Sequence, residues 1–445
     1  MSDTIYICTN CDAQFPKWSG RCLECGAWGS LEQTKKPTNK VKETIKAQPG
    51  KVIELNEVKD LEIKRLKTNI AGFDRVMGGG IVPGGVALLG GDPGVGKSTL
   101  ALQLIDSLTA NYVCLYISAE ESAEQVVSRL KRLNCKQQAD KLKFLPEDKV
   151  ETITATLEQE KPTVAIIDSI QTIYTEEIPS EAGSINQVRA CTVKLLEIAK
   201  RLKIAIIIIG HVTKEGTLAG PKTMEHLVDV VLYLEGDKYR QFRLLRSIKN
   251  RFAHSGEVAV WEMTKTGLKE VANPSQVFLA GFANRAGSVI TAVAEGSQVF
   301  LIEIQALISK TSFGYPKRSV SGFEQKRLEL LCTILTKRAD INLNNFDVYL
   351  NIVGGLTLKE PALDLAVIVA IISAWQDKVL PEKTVIFGEV GLSGEVRVVS
   401  KTKERVKEAL KLGFKQIILP DFTGAIKNLE LIKIKEISQL LSLFK

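Results

Sequence analysis

Apolar residues in this chain gather into short unbroken runs rather than alternating with polar ones. Four such runs stand in the first half: residues 86–90 (Val-Ala-Leu-Leu-Gly), 112–118, 164–167 and 204–209. Continuous apolar runs of this length read as strands buried on both faces, the signature of a parallel sheet. The segments between them change period. Leu100, Ala101, Leu104 and Ile105 recur at helical spacing, and residues 122–130 read as a second helix. The pattern predicts a doubly wound α/β sheet covered by helices on both faces, with the spatial order of its strands left open. From about residue 274 onward the rhythm is different. Apolar segments at 289–294, 299–306 and 346–353 are interleaved with helical stretches at 325–337 and 362–376, which predicts a separate α+β domain.

Length and composition agree with several folded units. The chain has 445 residues, 45% hydrophobic and 25% charged, which suggests about three domains and excludes a disordered or fibrous protein. Lys and Arg total 59 against 51 Asp and Glu, a net charge of +8 that names no partner by itself. The first ten residues carry Asp3 and lack the apolar stretch of an export signal. No apolar run reaches the roughly 18 residues that suggest a membrane span. A cytoplasmic protein with no membrane contact is expected.

Eight cysteines are unevenly placed. Cys114, Cys135, Cys191 and Cys332 are scattered and read as small buried hydrophobes. Cys8, Cys11, Cys22 and Cys25 instead form two C-x2-C pairs, ligand spacing for a tetrahedral Zn2+ site, with Gly26 relieving the turn. A redox dithiol is the competing reading, although it needs one pair and not two. Tyr6, Phe15, Trp18 and Trp28 flank these cysteines and are expected to cap the metal. Residues 1–30 therefore read as a zinc finger. Residues 31–66 hold Lys35, Lys36, Lys40, Lys42 and Lys46 with Pro37 and Pro49, and read as a basic linker.

The first apolar run leads into Gly91-Asp92-Pro93-Gly94-Val95-Gly96-Lys97-Ser98-Thr99 and then into a helical pattern. This matches G-x4-G-K-[ST] in the strand-to-helix context that such a phosphate-binding loop requires. Backbone N–H groups would wrap the β-phosphate of ATP, Lys97 would neutralise β/γ charge, and Ser98 would bind Mg2+. Asp168, closing the run at 164–167, is the expected second magnesium partner. Glu120 and Glu121 follow the run at 112–118, at the carboxyl end of a strand where ligands of open α/β sheets bind. Glu120 is the candidate general base and Glu121 its rival; both could instead cap the following helix. His211 follows the fourth run, placed to sense a γ-phosphate. Residues 67–272 make up this ATPase domain.

With these motifs in place, the chain resembles the bacterial RadA (Sms) family of RecA-related DNA repair ATPases over essentially its whole length. The most specific element is Lys249-Asn250-Arg251-Phe252 after the core, followed here by Ala253 where the family pattern continues with glycine. The resemblance implies a RecA-like P-loop core, an N-terminal zinc finger and, at 273–445, a C-terminal domain similar to the Lon protease domain. It implies a hexameric ring that hydrolyses ATP, binds single-stranded DNA, drives branch migration of recombination intermediates and works with the recombinase RecA. Lys249 and Arg251 would then reach the phosphates bound by a neighbouring subunit. Segments 184–189 and 214–222 would be channel loops that contact DNA. Lys317, Arg318, Lys326 and Arg327 are candidates for a DNA-binding surface.

Lon-like similarity centres on Gly354-Gly355, on Glu360-Pro361-Ala362-Leu363-Asp364 and on residues 388–394. The family of proteases places its serine nucleophile where this chain has Ala362, so Lys403 has no hydroxyl to activate. The domain is expected to be inactive as a protease. An ATP-dependent protease and a non-translocating nucleotide switch that loads another recombinase are the alternatives to the DNA motor.

Overall fold

The computed structural model describes residues 4–9, 14–23, 26–35, 64–135, 141–211, 224–236, 242–312, 314–355, 357–423 and 429–444. The chain divides into two compact units, Met1–Ile63 and Lys64–Lys445. Among the described residues no helix is long and apolar enough to cross a membrane.

In the first unit a three-stranded antiparallel sheet is built from β1 (Thr4–Cys8), β2 (Gln14–Phe15) and β3 (Leu31–Lys35), in the order β2-β1-β3. Its small core consists of Cys8, Cys22 and Leu31, with Tyr6 and Phe15 packed against it. The second pair of cysteines begins a tight turn: the Gly26 N–H donates to the Cys22 carbonyl at 3.0 Å, and Gly26 has φ +75°. Only part of the expected aromatic cap forms. Trp18 is 62% and Trp28 78% exposed, and the Arg21 guanidinium lies over the Trp28 ring at 5.8 Å. Cys11 and Cys25 lie outside the described residues.

The second unit holds two large sheets. The first has nine strands in the order β12-β11-β10-β9-β4-β8-β7-β5-β6. Its parallel part comprises β4 (Val86–Gly91), β5 (Cys114–Ile117), β6 (Leu142–Leu145), β7 (Val164–Ile167), β8 (Ala205–Ile209) and β9 (Val230–Gly236). β8 lies between β4 and β7, so the fourth apolar run of the sequence sits directly beside the first and the third lies on its far side. The sheet then continues antiparallel through β10 (Phe242–Asn250), β11 (Val258–Thr264) and β12 (Gly267–Glu270).

Helices cover both faces of the parallel part. One face packs Val86, Leu88, Ala165, Ile167, Ile206 and Ile208 beneath α4 (Val150–Glu160) and α5 (Ile185–Leu202). The other packs the alternate residues, such as Ala87, Leu89, Ile166 and Ile207, beneath α1 (Ala71–Val76), α2 (Lys97–Thr109) and α3 (Ala123–Arg132). Strand residues point alternately to the two sides, so each apolar run feeds two cores.

The second sheet has seven strands: β13 (Ser288–Glu295), β14 (Gln298–Lys310), β15 (Arg318–Ser321), β16 (Phe346–Ile352), β17 (Thr384–Ile386), β20 (Gln416–Leu419) and β21 (Glu430–Lys433). Their order is β15-β16-β14-β13-β17-β20-β21. A two-stranded ribbon of β18 (Glu389–Val390) and β19 (Val396–Arg397) stands apart from it. A short helix, α6 (Pro274–Phe278), leads in, and α7 (Gln325–Arg338), α8 (Asp364–Gln376) and α9 (Thr402–Lys411) complete the α+β domain.

The two sheets meet at the β10–β11 hairpin. Leu245, Ala259 and Trp261 face the core beneath α1 and α2. Leu244, Val258 and Val260, one residue out of phase, face the core of the C-terminal domain. The tight β13–β14 turn closes the contact from the other side. Ser297 donates to the Glu257 carboxylate from its N–H at 2.9 Å and its hydroxyl at 2.6 Å. Gly296 at this turn has φ +56°, and a Cβ there would come within 2.5 Å of the Glu257 backbone. Arg246 on β10 pairs with Glu295 on β13 and lies 3.8 Å from Glu235 on β9.

Replacing Arg246 with Ala strands the largely buried Glu295 carboxylate. It should lower unfolding stability by about 1–3 kcal/mol in a denaturant titration. The Arg246→Ala/Glu295→Ala double variant should lose less than the two single losses combined, because the pair couples.

Candidate functional site

β4 is buried along its whole length and delivers the chain to the loop at its carboxyl end. Asp92, Pro93 and Gly94 are exposed there, Val95 turns back into the core, and Gly96 begins α2. Gly96 has φ +113°, and a Cβ at this position would lie 2.8 Å from the Met263 side chain, so both conformation and space require glycine. The N-terminus of the 13-residue α2 carries no side-chain cap. Its first N–H groups therefore have no intrahelical partner and, with the helix dipole, suit an anion. Ser98 and Thr99 lie half-buried in the first turn.

Lys97 folds back over the loop and donates from Nζ to the carbonyls of Gly91 at 2.9 Å and Asp92 at 3.0 Å. Burial pushes its ammonium down to about 8, with Asp168, Asp92 and Glu120 pulling it back up. These three carboxylates thus surround one lysine. Asp168, buried at the end of β7, accepts a hydrogen bond from the Tyr116 hydroxyl at 2.7 Å. Glu120, beyond the end of β5, accepts one from the Ser169 hydroxyl at 2.7 Å.

Glu121 lies close enough to feel Asp168 and Glu120 but has a partner of its own. It pairs with Arg129 of α3 at 2.9 Å, while burial raises its carboxyl above the usual range. Ser122 caps α3 through a reciprocal box with Gln125, so the helix start is satisfied without either glutamate. His211 is half-buried at the end of β8. Burial, and then Lys97, lower its imidazole below the ordinary value, and Nδ1 is buried with no hydrogen-bond partner among the described residues. Tyr116 and Ser169 belong to this constellation, as does Ser118, whose hydroxyl accepts from the Glu120 N–H at 3.3 Å, but they do not stand out in the sequence. Each sits in or just after an apolar strand, and that is the one signal that could find them.

The Lys-Asn-Arg-Phe segment lies at the other end of the sheet. Gly91 pairs with Leu234 on β9, whereas Asn250 pairs with Val230 at the opposite end of the same strand. Four residues of strand separate the two levels, about 13 Å. Lys249 donates to the carbonyls of Glu225 at 2.6 Å and Val228 at 2.9 Å; burial and Arg251 lower its ammonium below the usual value. Arg251 is half-exposed and lies 3.4 Å from Asp229. Ala253 replaces the family glycine without strain, since its φ is not positive and its methyl fills the space left by Gly78.

Several expectations are corrected. Segment 184–189 is not a loop: Ser184 caps α5, and Gln187 is buried, bonded to Thr175, Ile178 and Ser180. The 214–222 loop lies outside the described residues. In the C-terminal domain Lys317 and Lys326 are exposed. Arg318, by contrast, is tied to the Leu343 and Phe346 carbonyls. Arg327 is tied to buried Asp364. These two arginines hold the fold rather than present a surface. Ala362 is buried in a 3-10 turn and Lys403 is exposed on α9. Two residues before Ala362, Glu360 pairs with the fully buried Arg405, which also bonds the Ser400 and Ala292 carbonyls.

Comparison with known families and proteins covers most of the chain. Residues 6–33 match a rubredoxin metal binding domain, residues 54–217 an AAA domain, and residues 313–422 the ChlI subunit of Mg-chelatase. The DNA repair protein RadA of Bacillus subtilis (strain 168) is 44% identical over 98% of this chain and 97% of its own. That of Rickettsia bellii (strain RML369-C) is 46% identical over 96% of this chain and 97% of its own. The RadB recombinase superposes with a TM-score of 0.38 at 23% identity, over 46% of this chain and 99% of its own.

The low pKa of Lys97 sets a pH dependence. Phosphate recognition needs the charged form, which is lost as pH rises through about 8. Affinity for ADP should therefore fall between pH 7 and 9, by up to about tenfold at the upper end. In Lys97→Arg it should stay flat, and titration calorimetry across that range measures both.

Proposed function

The chain belongs to the RadA family of DNA repair proteins, and from that premise we propose that it is a ring-forming ATP-driven motor acting on single-stranded DNA in recombination. ATP hydrolysis and a role in DNA repair come with the family. The hexameric ring, branch migration of recombination intermediates, a partnership with the recombinase RecA and a cytoplasmic location are our reading. So is the division into a zinc finger (1–30), a linker (31–66), an ATPase domain (67–272) and a proteolytically inactive Lon-like domain (273–445).

One observation carries the motor reading. Lys97, Asp168 and Glu120 gather at one end of the sheet, whereas Lys249 and Arg251 sit about 13 Å away at the other. The two basic residues cannot serve the phosphates bound by their own chain, so they serve those of a neighbour, and a closed ring satisfies every site.

Residues 91–99 cradle the phosphates, with Lys97 leaving its carbonyl partners for the β/γ oxygens. Mg2+ bound with ATP would supply charge neutralisation between the β- and γ-phosphates. Ser98 and Asp168 would hold that ion, and the Tyr116 hydroxyl fixes Asp168 in place. Glu120, oriented by Ser169, accepts the proton of the attacking water. Glu121 is committed to Arg129 and takes no part. Lys249 and Arg251 stabilise charge on the departing phosphates of the neighbour.

Cys8, Cys11, Cys22 and Cys25 would hold Zn2+. Burial of Cys8 and Cys22 in one small core, and the turn closed by Gly26, support this assignment. A unit with so few apolar residues gains its folding energy largely from the metal.

Glu120→Gln should bind ATP as the wild type does and lose at least about 100-fold in turnover, since a general base contributes on this scale. Glu121→Gln should keep normal turnover. In a three-strand branch-migration assay, Lys249→Ala should bind single-stranded DNA yet fail to extend the joint. Normal extension by Lys249→Ala would sink the trans-acting assignment.

A further inference from the structure

Between the nucleotide loop and the antiparallel extension of the sheet lies a second arginine, with a contact that the proposed chemistry does not use. Arg243 on β10 is 8% exposed, and its Nε donates to the carbonyl of Val95 at 3.0 Å, across 148 residues of sequence. Its Nη1 donates to the Phe242 carbonyl at 2.9 Å, which fixes the plane of the guanidinium.

β9 is built to let this side chain through. Gly236 is the register partner of Arg243, and a Cβ at Gly236 would collide with the Arg243 Cδ. Gly236 does not have a left-handed φ, so its backbone conformation would accept another residue. Glycine is needed there for room alone, and the occupant of that room is Arg243.

In a trans peptide the C=O and the following N–H point in opposite directions. A donor that holds the Val95 carbonyl on the inner side of the loop therefore turns the Gly96 N–H outward, at the start of α2, where a β-phosphate binds. We infer that Arg243 is a positioning residue for nucleotide binding: it presets the Val95–Gly96 peptide so that the Gly96 N–H faces the phosphate, and Gly236 is the slot that admits it.

This deepens the reading of residues 91–99 as the ATP site and rests on it, so the two are tested separately. Binding of a fluorescent ADP to the full chain should be strong in the wild type and lost in Lys97→Ala. Equal binding in both would overturn the site, and the inference with it. With the site upheld, Arg243→Ala and Gly236→Ala should each weaken ADP binding and raise the KM for ATP about tenfold, the worth of one preset donor to a charged group. Turnover at saturating ATP should stay within about twofold, because Lys97, Asp168 and Glu120 are untouched. The melting temperature without nucleotide should fall modestly, because a buried hydrogen-bonded side chain is lost or displaced, while the further rise on adding ADP shrinks. Arg243→Lys keeps the charge but lacks the planar Nε–H and should remain weak. ADP affinity within about twofold of wild type in both Arg243→Ala and Gly236→Ala would refute the inference. So would full affinity in Arg243→Lys, or a drop in turnover and nucleotide-free melting temperature at unchanged KM.

Discussion

The period-two alternation of the β10–β11 hairpin is the constraint on which the rest of the second unit depends. One set of side chains, Leu245, Ala259 and Trp261, completes the core over which the nucleotide loop is built. The other, Leu244, Val258 and Val260, completes the core of the C-terminal domain. A slip of one residue would exchange the two sets and expose both cores at once, so the register is strongly specified. The same alternation sends Arg243 to the loop side and Arg246 to the domain side. A strand buried between two domains in this way cannot shift for one without being felt by the other.

Partner choice, more than position in the sequence, separates the acidic residues of the site. Glu120 and Glu121 are adjacent and follow the same strand, yet one meets a hydroxyl beside the nucleotide loop and the other an arginine on a helix. Glu121 is thereby committed to a helix, whereas Glu120 stays beside the loop where an attacking water would lie. Lys97 sits at the centre of this group. Desolvation lowers its pKa despite three nearby carboxylates, so the loop holds a cation that a phosphate would welcome.

How much of this was legible beforehand follows from the range of each signal. The four apolar runs became β4, β5, β7 and β8 because strands buried on both faces need unbroken apolar sequence. The helices at 325–338 and 364–376 and the strands at 288–295 and 346–352 likewise fall where periodicity put them. β6 escaped notice because it is an edge strand with partly exposed residues that carry no such run. The spatial order of the strands was hidden, since β8 inserting between β4 and β7 is a matter of long-range packing. Segment 184–189 looked like a loop because serine, asparagine and glutamine favour loops. The same residues favour helix starts, and Ser184 caps one. Arg318 and Arg327 looked like surface charge, because a sequence does not display the carbonyls and the buried carboxylate that consume them.

In the Lon-like domain the turn around Ala362 is fixed by two ion pairs. Arg405 is fully buried, pairs with Glu360 and bonds two backbone carbonyls, and Asp364 is likewise closed by Arg327 and the Val390 N–H. Breaking either pair would leave an uncompensated buried charge, a strongly destabilising change. Groups held this firmly serve rigidity. The rigid domain is a wall for the β10–β11 hairpin, whose Leu244, Val258 and Val260 are packed into its core.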